Sequence, residues 1–552
     1  MSRLTLTTLA ACAACSAWTG CDAAPSPLDA AELDAGAHHD AAADDAATDD
    51  AAAARDAGAD SGARDAGPPD PPPVLTPGWW TEVAPPTRRF YVDGAAPDNE
   101  GAGSIDDPWR DITFAADQTG PGDAVIIRAG TYVDQDNRPG TAAENSGINP
   151  GRGTLREPKW FMAFPGERVV IDGGGYLHGG FNINASAGNA HAYVVISGLE
   201  LRNFTRGGVY LHNDTTGYIA IVNNWIHDIV GPAGTNVGGV RIDEDDCEQV
   251  YIANNLIHDV RVGPSPETEN AAGVHSYRMF NVVAEYNEIH HTPDAFYLKS
   301  PNHAAYRGDN RLRRNYLHDL DRSALSFNDN TSTPFGHLAT TFEHNLVLRS
   351  RWGIEDETHN IRAGSPPSAG LVWRHNTLVD IREDYFRLRG HTDVHHTDNL
   401  YFGCSDEATA SRDSVPHTIT TISQGSDPQS SEIRESDYNL SHPWSARLNH
   451  YNGEAPVTLY SSLAEWQRAG FGDAPPSLNV SAPGPDAHSI EADPLFAGYS
   501  GGSSVDADRD DFRLRDASPA RGAASDGGHM GCYQSSSDVV GLLPSPIVLA
   551  PM

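Results

Sequence analysis

The chain has 552 residues, with 38 Lys and Arg against 75 Asp and Glu, and a formal net charge of −37. That sign excludes nucleic acid and anionic membrane surfaces as partners of the body as a whole. Three of the six cysteines (Cys12, Cys15, Cys21) fall in the first 21 residues. Cys247, Cys404 and Cys532 remain, too few for a disulfide-stapled fold, although a Cys404–Cys532 bond stays open.

Residues 1–21 read as an export leader: Met1-Ser2-Arg3, then a short apolar run from Leu4 to Ala17, too short to span a membrane. Trp18-Thr19-Gly20-Cys21 resembles a bacterial lipoprotein cleavage box, with Cys21 as the lipidated residue, but Trp18 stands where Leu is expected. Leu9-Ala10-Ala11-Cys12 fits the box better and leaves almost no apolar core before it. An ordinary signal peptide is the alternative; either way the chain is expected outside the cytoplasm, and membrane contact is expected through the lipid anchor only. Residues 22–77 are almost all Ala, Asp, Gly and Pro, with 13 acidic residues against Arg55 and Arg64. Such a segment buries too little apolar surface to offset its ordering entropy, which predicts a self-repelling, disordered tether.

From 78 to 190 the body begins. In Pro108-Trp109-Arg110-Asp111-Ile112-Thr113-Phe114-Ala115-Ala116, the side chains of Trp109, Ile112 and Ala116 share one face of a short helix. That helix is expected to cap the open end of a stack, because an uncovered sheet end exposes an apolar edge.

Residues 191–403 carry a repeat. Asn224-Trp225-Ile226-His227-Asp228 recurs as Asn255-Leu256-Ile257-His258-Asp259, Asn287-Glu288-Ile289-His290-His291 and Asn315-Tyr316-Leu317-His318-Asp319. Looser copies begin at Asn345, Asn376 and Asn399, giving intervals of 31, 32, 28, 30, 31 and 23 residues. Such a period means stacked units, not one globular core. An apolar run such as Tyr218-Ile219-Ala220-Ile221 precedes each asparagine, and a second strand series opens with Gly208-Val209-Tyr210-Leu211-His212 and Gly239-Val240-Arg241-Ile242-Asp243. In that series the second and fourth residues are mostly apolar and the third and fifth mostly polar, with Ser276 and Asp356 as exceptions. One face is therefore expected inside and the other in solvent. A propeller or sandwich would show hairpin spacing and turn dipeptides between antiparallel strands, which are not seen.

After Cys404 the pattern loosens (404–534). Ser462-Leu463-Ala464-Glu465 reads as a capping box opening a short helix. The run from Asp506 to Asp511 has oxygen ligands for Ca²⁺ without the remaining loop spacing. The tail 535–552, apolar with prolines, either packs on the body or stays loose.

These features resemble the right-handed parallel β-helix of the pectin-lyase-like superfamily: an all-β solenoid in which each repeat is one turn of a coil. Asparagines at one bend would then stack as a ladder, amide on amide at the ~4.8 Å strand spacing. The segment Trp109–Ala116, with Gly130-Thr131-Tyr132 and Val170-Ile171-Asp172-Gly173, is similar to the N-terminal cap of polysaccharide lyase families 6 and 9.

Stacking aligns the third positions of the second series, Tyr210, Arg241, His275, Tyr297, Ser326, Glu355 and Arg387. It also aligns the fifth, His212, Asp243, Tyr277, Lys299, Asn328, Glu357 and Arg389. Neighbours in a column should lie ~5 Å apart. Tyr210, Arg241, Tyr297, Asn328, Glu357 and Arg389 would line a groove for an extended acidic polysaccharide. Any solenoid of this kind has polar outward columns, so Lys299 is what singles this one out. Only Lys159 and Lys299 are lysines, and an amine, unlike a guanidinium, can act as a base near neutral pH.

The lyase resemblance implies β-elimination with Lys299 as the base and Tyr277 or His275 donating to the leaving oxygen. Arg278, Arg241 or Ca²⁺ would neutralise the uronate carboxylate, with Asp243, Glu244, Asp245 and Asp246 as oxygen ligands; a solvated acidic turn is their other reading. Glu355 and Glu357, paired on one face, keep glycoside hydrolysis open. His227, His258, His290 and His318 occupy one regular place in the repeat and read as a stacked column instead of a metal array. The expected protein is a monomeric cell-envelope lipoprotein that binds and cleaves an acidic glycan; the alternative is a non-catalytic surface glycan-binding or structural module.

Overall fold

The computed structural model describes residues 75–136, 146–184, 191–212, 217–243, 247–263, 270–277, 279–299, 310–328, 340–356, 368–388, 391–404, 419–422, 433–443, 448–451, 462–469, 486–501, 504–505 and 507–550. The leader, Cys21 and the tether as far as Val74 lie outside these residues, as do Arg278, Glu244, Asp245, Asp246, Glu357 and Arg389. No helix among the described residues is long and apolar enough to cross a membrane.

Each apolar run before an asparagine forms a strand of a first sheet. Its order includes Arg88–Val92, Asp123–Ile127, Lys159–Ala163, Val194–Ser197, Gly217–Val222, Cys247–Ala253 and Val283–Glu285, each parallel to the next. The residues after each asparagine form a second face, with Glu200–Arg202, Trp225–Gly231, Leu256–Val262, Glu288–His290 and the start of Tyr316–Asn328 in parallel register. The Gly-led series forms a third face: Gly207–His212, Val237–Ile242, Ala271–Tyr277, Asp294–Lys299 and the end of Tyr316–Asn328. One turn of chain visits all three faces, and successive turns pair in parallel. This is a parallel β-helix.

The inward pattern of the third face is as predicted. Val209, Val240, Val274, Phe296, Leu325, Ile354 and Phe386 follow one another in register and are fully buried. The glycines in the first half of these strands are set by packing. A Cβ on Gly208, Gly239 or Gly273 would sit 2.5, 2.4 or 2.5 Å from Cγ2 of Ile226, Ile257 or Ile289. Those isoleucines are the ones in the Asn-x-Ile motif, so the two halves of the repeat interlock.

The asparagine ladder forms. Nδ2 of Asn224, Asn255, Asn287, Asn315, Asn345, Asn376 and Asn399 donates to Oδ1 of the next asparagine at 2.9–3.1 Å. Each backbone N–H of the same residues donates to the same oxygen. Asn439 is an eighth member, and its own N–H donates to Ser489 Oγ at 2.8 Å, closing the ladder. The residue before each rung is left-handed without being glycine, as at Asn254 (φ 54°), Tyr286 (φ 60°) and Arg314 (φ 55°). That conformation costs on the order of 1–2 kcal/mol per residue, and the ladder bonds that it makes possible offset it.

The predicted cap is the helix Ile112–Gln118, whose Ile112, Ala115 and Ala116 are buried; Trp109 stacks on Phe90 just before it. The predicted Ser462 cap is also present, with Glu465 N–H donating to Ser462 Oγ at 3.2 Å. Two expectations change. Cys532 is a buried free thiol, so the Cys404–Cys532 bond is not made. The last residues assigned to the tether belong to the body: Thr76 is buried and donates from N and Oγ1 to the Glu285 carboxylate at 3.1 and 2.8 Å.

The tail packs. Trp79, Trp80, Ile547 and Ala550 cover the outer apolar face of the first sheet, Trp80 lying on Tyr251 at 4.5 Å. Ile547 N–H and Leu543 N–H donate to Asn223 and Asn254 there.

Candidate functional site

The third face holds the candidate site. Parallel register brings Tyr210, Arg241, His275, Tyr297, Ser326 and Glu355 into one column, and sets Tyr277 beside Lys299 and Lys299 beside Asn328. The predicted columns are real, but their predicted exposure is not. Arg241 is 5% exposed, His275 and Tyr297 0%, Lys299 7% and Asn328 9%.

Two causes are visible. The side chains lie flat along the stack: the Arg241 guanidinium covers the Tyr210 ring at 4.8 Å, and Lys299 Nζ sits 4.7 Å from the Tyr297 ring centre and 5.8 Å from that of Tyr277. His275 meets Tyr297 edge-on at 5.3 Å. In addition, Asn236 and Asn270, in the turns leading into the strands, reach back over the face. Lys299 Nζ donates to Asn236 Oδ1 at 3.1 Å and to Asn270 Oδ1. Asn236 also donates to the Tyr277 hydroxyl at 2.5 Å, and its carbonyl accepts from Arg241 at 2.5 Å. Lys299 therefore lies in a roofed recess, not on a flat open face.

Column reasoning missed Asn236 and Asn270 because neither is in a strand column. A signal exists: each stands directly before its strand and three residues before a Gly of the Gly-led series, Asn236 before Gly239 and Asn270 before Gly273. Asn270 has φ 81°, a left-handed conformation that asparagine tolerates.

Burial sets the protonation of the recess. His275 has no hydrogen-bond partner at either ring nitrogen among the described residues. Its burial, and then the neighbouring Lys299 and Arg241, hold it well below the ordinary imidazole range, so it is neutral. Burial, with the Asp243 carboxylate nearby, pushes the Tyr277 hydroxyl upward, so Tyr277 keeps its proton. Asp243 accepts from Tyr210 at 3.1 Å and from Arg241 at 2.5 Å.

Below the recess, Arg322 donates to Glu355 at 2.8 Å and lies 3.8 Å from Asp294. Asp294 in turn accepts from Ser323 N, Ser323 Oγ and Ser326 Oγ. Glu355 is thereby held as a structural carboxylate, and Glu357, its partner in the hydrolytic reading, is outside the described residues. Asn328 donates to the Tyr297 hydroxyl at 2.9 Å.

The histidines stack on the second face as expected, at 5.1, 4.7 and 4.7 Å from His227 to His258 to His290 to His318. Nδ1 of His227, His258 and His318 meets the carboxylate of the following aspartate at 2.6–2.7 Å. Burial and the flanking histidines push His290 down to about 2.

A family model described as a right handed beta helix region matches residues 179–382. No curated protein matches the chain. Among solved structures, pectate lyase Pel9A is 12% identical, covering 82% of this chain and 97% of its own, with a TM-score of 0.44. The polysaccharide lyase Pedsa3628 from Pseudopedobacter saltans is 12% identical over 69% of this chain and 95% of its own, with a TM-score of 0.39. A mannuronic acid specific family 6 lyase from human gut microbiota is 12% identical over 67% of this chain and 78% of its own, with a TM-score of 0.36. The family-model match spans the recess and the ladder from Asn224 to Asn376, and the chain is a right-handed parallel β-helix.

Proposed function

We propose that this β-helix acts on an acidic, uronate-containing glycan at the Lys299 recess, cleaving it by β-elimination. The observation that carries the reading is the convergence of Lys299, Tyr277, Arg241 and His275 from three consecutive turns under the roof of Asn236 and Asn270. Lys299 takes the proton α to the uronate carboxylate, that electron pair forms the ring double bond, and the bond to the leaving glycosidic oxygen breaks. Tyr277, which keeps its proton, donates it to that oxygen. Arg241 holds the carboxylate and the charge developing on it. His275, wholly buried, packs edge-on against Tyr297 behind the recess and does not meet the glycan.

The net charge of −37 opposes a polyanion, so binding depends on these few cations and not on long-range attraction. The same reading has the protein exported and tethered through Cys21, with the body held off the membrane by the acidic segment.

Non-catalytic glycan binding is the second reading. One observation favours it: the Lys299 amine already has two amide acceptors and two ring faces. Purified protein incubated with a panel of uronate polysaccharides, with and without Ca²⁺, decides between them. Ultraviolet absorbance of an unsaturated product that disappears in Lys299→Ala identifies a lyase and its base. Binding without absorbance on any substrate identifies a binding module.

A further inference from the structure

We infer that Glu288, His290 and His318, on the outer side of the second face, form a site for a divalent transition ion of the Zn²⁺ class. The inference is independent of the glycan site.

Glu288 and His290 lie two residues apart on one strand and so share its outer side, and His290 pairs in register with His318 on the next turn. One ligand atom from each of the three lies within 4.8 Å of the others, and Glu288 Oε1 is 3.4 Å from His318 Nε2. All three are partly exposed, so an ion can reach them.

What distinguishes His290 within the stack is its Nε2. His227 Nε2 faces Glu200 at 3.3 Å as His318 Nε2 faces Glu288 at 3.4 Å, and the Trp225 indole N–H donates to His258 Nε2 at 2.7 Å. One turn on, the position of Trp225 is taken by Leu256, which has no donor. Among the described residues the ring hydrogen bond of His290 is made by Nδ1, which leaves Nε2 for a ligand.

The supporting shell is also in place. His318 Nδ1 is 2.7 Å from Asp319, whose two oxygens accept from Arg349 at 2.6 and 2.7 Å. A carboxylate on Nδ1 fixes the tautomer that offers Nε2 to a metal. At His290 the repeat replaces the aspartate with His291, whose Nδ1 is 2.6 Å from His290 Nδ1. Two imidazoles and one carboxylate match a Zn²⁺ ligand set with a fourth position left for water. The rings of His290 and His318 are stacked at 4.7 Å and 19°, so capture requires both to swing their Nε2 edges together. The bound ion would clip two successive turns.

The test is calorimetric titration of the full chain with Zn²⁺, followed by the visible spectrum of the Co²⁺ form. One saturable site is expected, lost in His290→Ala and His318→Ala, retained in His227→Ala, and weakened roughly tenfold in Asp319→Asn. Glu288→Gln, which keeps the shape, should retain the fold by circular dichroism and lose the tetrahedral Co²⁺ band. Absence of saturable binding overturns the site, as does binding undiminished in folded His290→Ala and His318→Ala.

Discussion

The asparagine ladder and the Lys299 recess are built from the same repeat, yet they satisfy their polar groups in opposite ways. In the ladder one residue type meets its own copy on the next turn, and each amide completes the one before it. In the recess Arg241, His275 and Tyr297 occupy one register position on three turns, and none can complete its neighbour in that way. Partners come instead from outside the column: the Asn236 carbonyl for Arg241, Asn328 for the Tyr297 hydroxyl, and Asn236 and Asn270 for the adjacent Lys299. His275 has none at either ring nitrogen among the described residues. Repetition of identity marks what holds the coil together; departure from it at a fixed position marks what is free to carry chemistry.

If that contrast is right, the two regions must respond differently to substitution. Asn287→Ala removes a fully buried amide that donates to Ile252 O and Asn315 Oδ1 and accepts from Asn255. Several buried groups lose partners at once, so urea denaturation should show a loss of about 3–5 kcal/mol. A loss under ~1 kcal/mol would remove the ladder's special status. Next in size, Gly239→Ala puts a Cβ 2.4 Å from Ile257 Cγ2 and 2.8 Å from Gly273 O and should cost about 1–3 kcal/mol by the same assay.

Lys299→Met should cost only ~1–2 kcal/mol, the scale of one cation–π contact and its amide bonds, while abolishing glycan binding. Equal losses at Lys299 and Asn287 would make the recess another structural element.

The smallest effect concerns pH. Burial acts to raise the Glu200 carboxyl, but hydrogen bonds from His227 and Arg168 outweigh it and bring the group down to about 2. A depressed carboxyl contributes stability above its ordinary range and loses it as pH falls. Wild type should therefore weaken between about pH 5 and about pH 2 more steeply than Glu200→Gln, in denaturation midpoints taken across that range. The difference is modest because Arg168 is largely exposed.

The coil was legible because period and alternation are written directly in the chain: the Asn-x-Ile copies, the Gly-led strands and the capping helix all stand where pattern put them. Asn439 escaped because 40 residues separate it from Asn399, beyond the range of the other intervals. Exposure of the columns was misjudged for a physical reason. Period-2 alternation says which way a side chain points and not what lies over it, and Asn236 and Asn270 arrive from turns that obey no period. Thr76 looked like tether by composition, but its tie to Glu285 links positions 209 residues apart, which no local pattern encodes.

The central claim, that the recess is where a glycan is met, has a direct test in the chain's own composition. Lysine-selective isotope labelling gives two side-chain ammonium or amine signals, one from Lys299 and one from Lys159. Lys159 is buried, donates to Ala116 O at 2.8 Å, and serves as an internal reference. Titration with uronate oligosaccharides should move the Lys299 resonance saturably and leave Lys159 unchanged. Binding that moves neither signal would contradict the account.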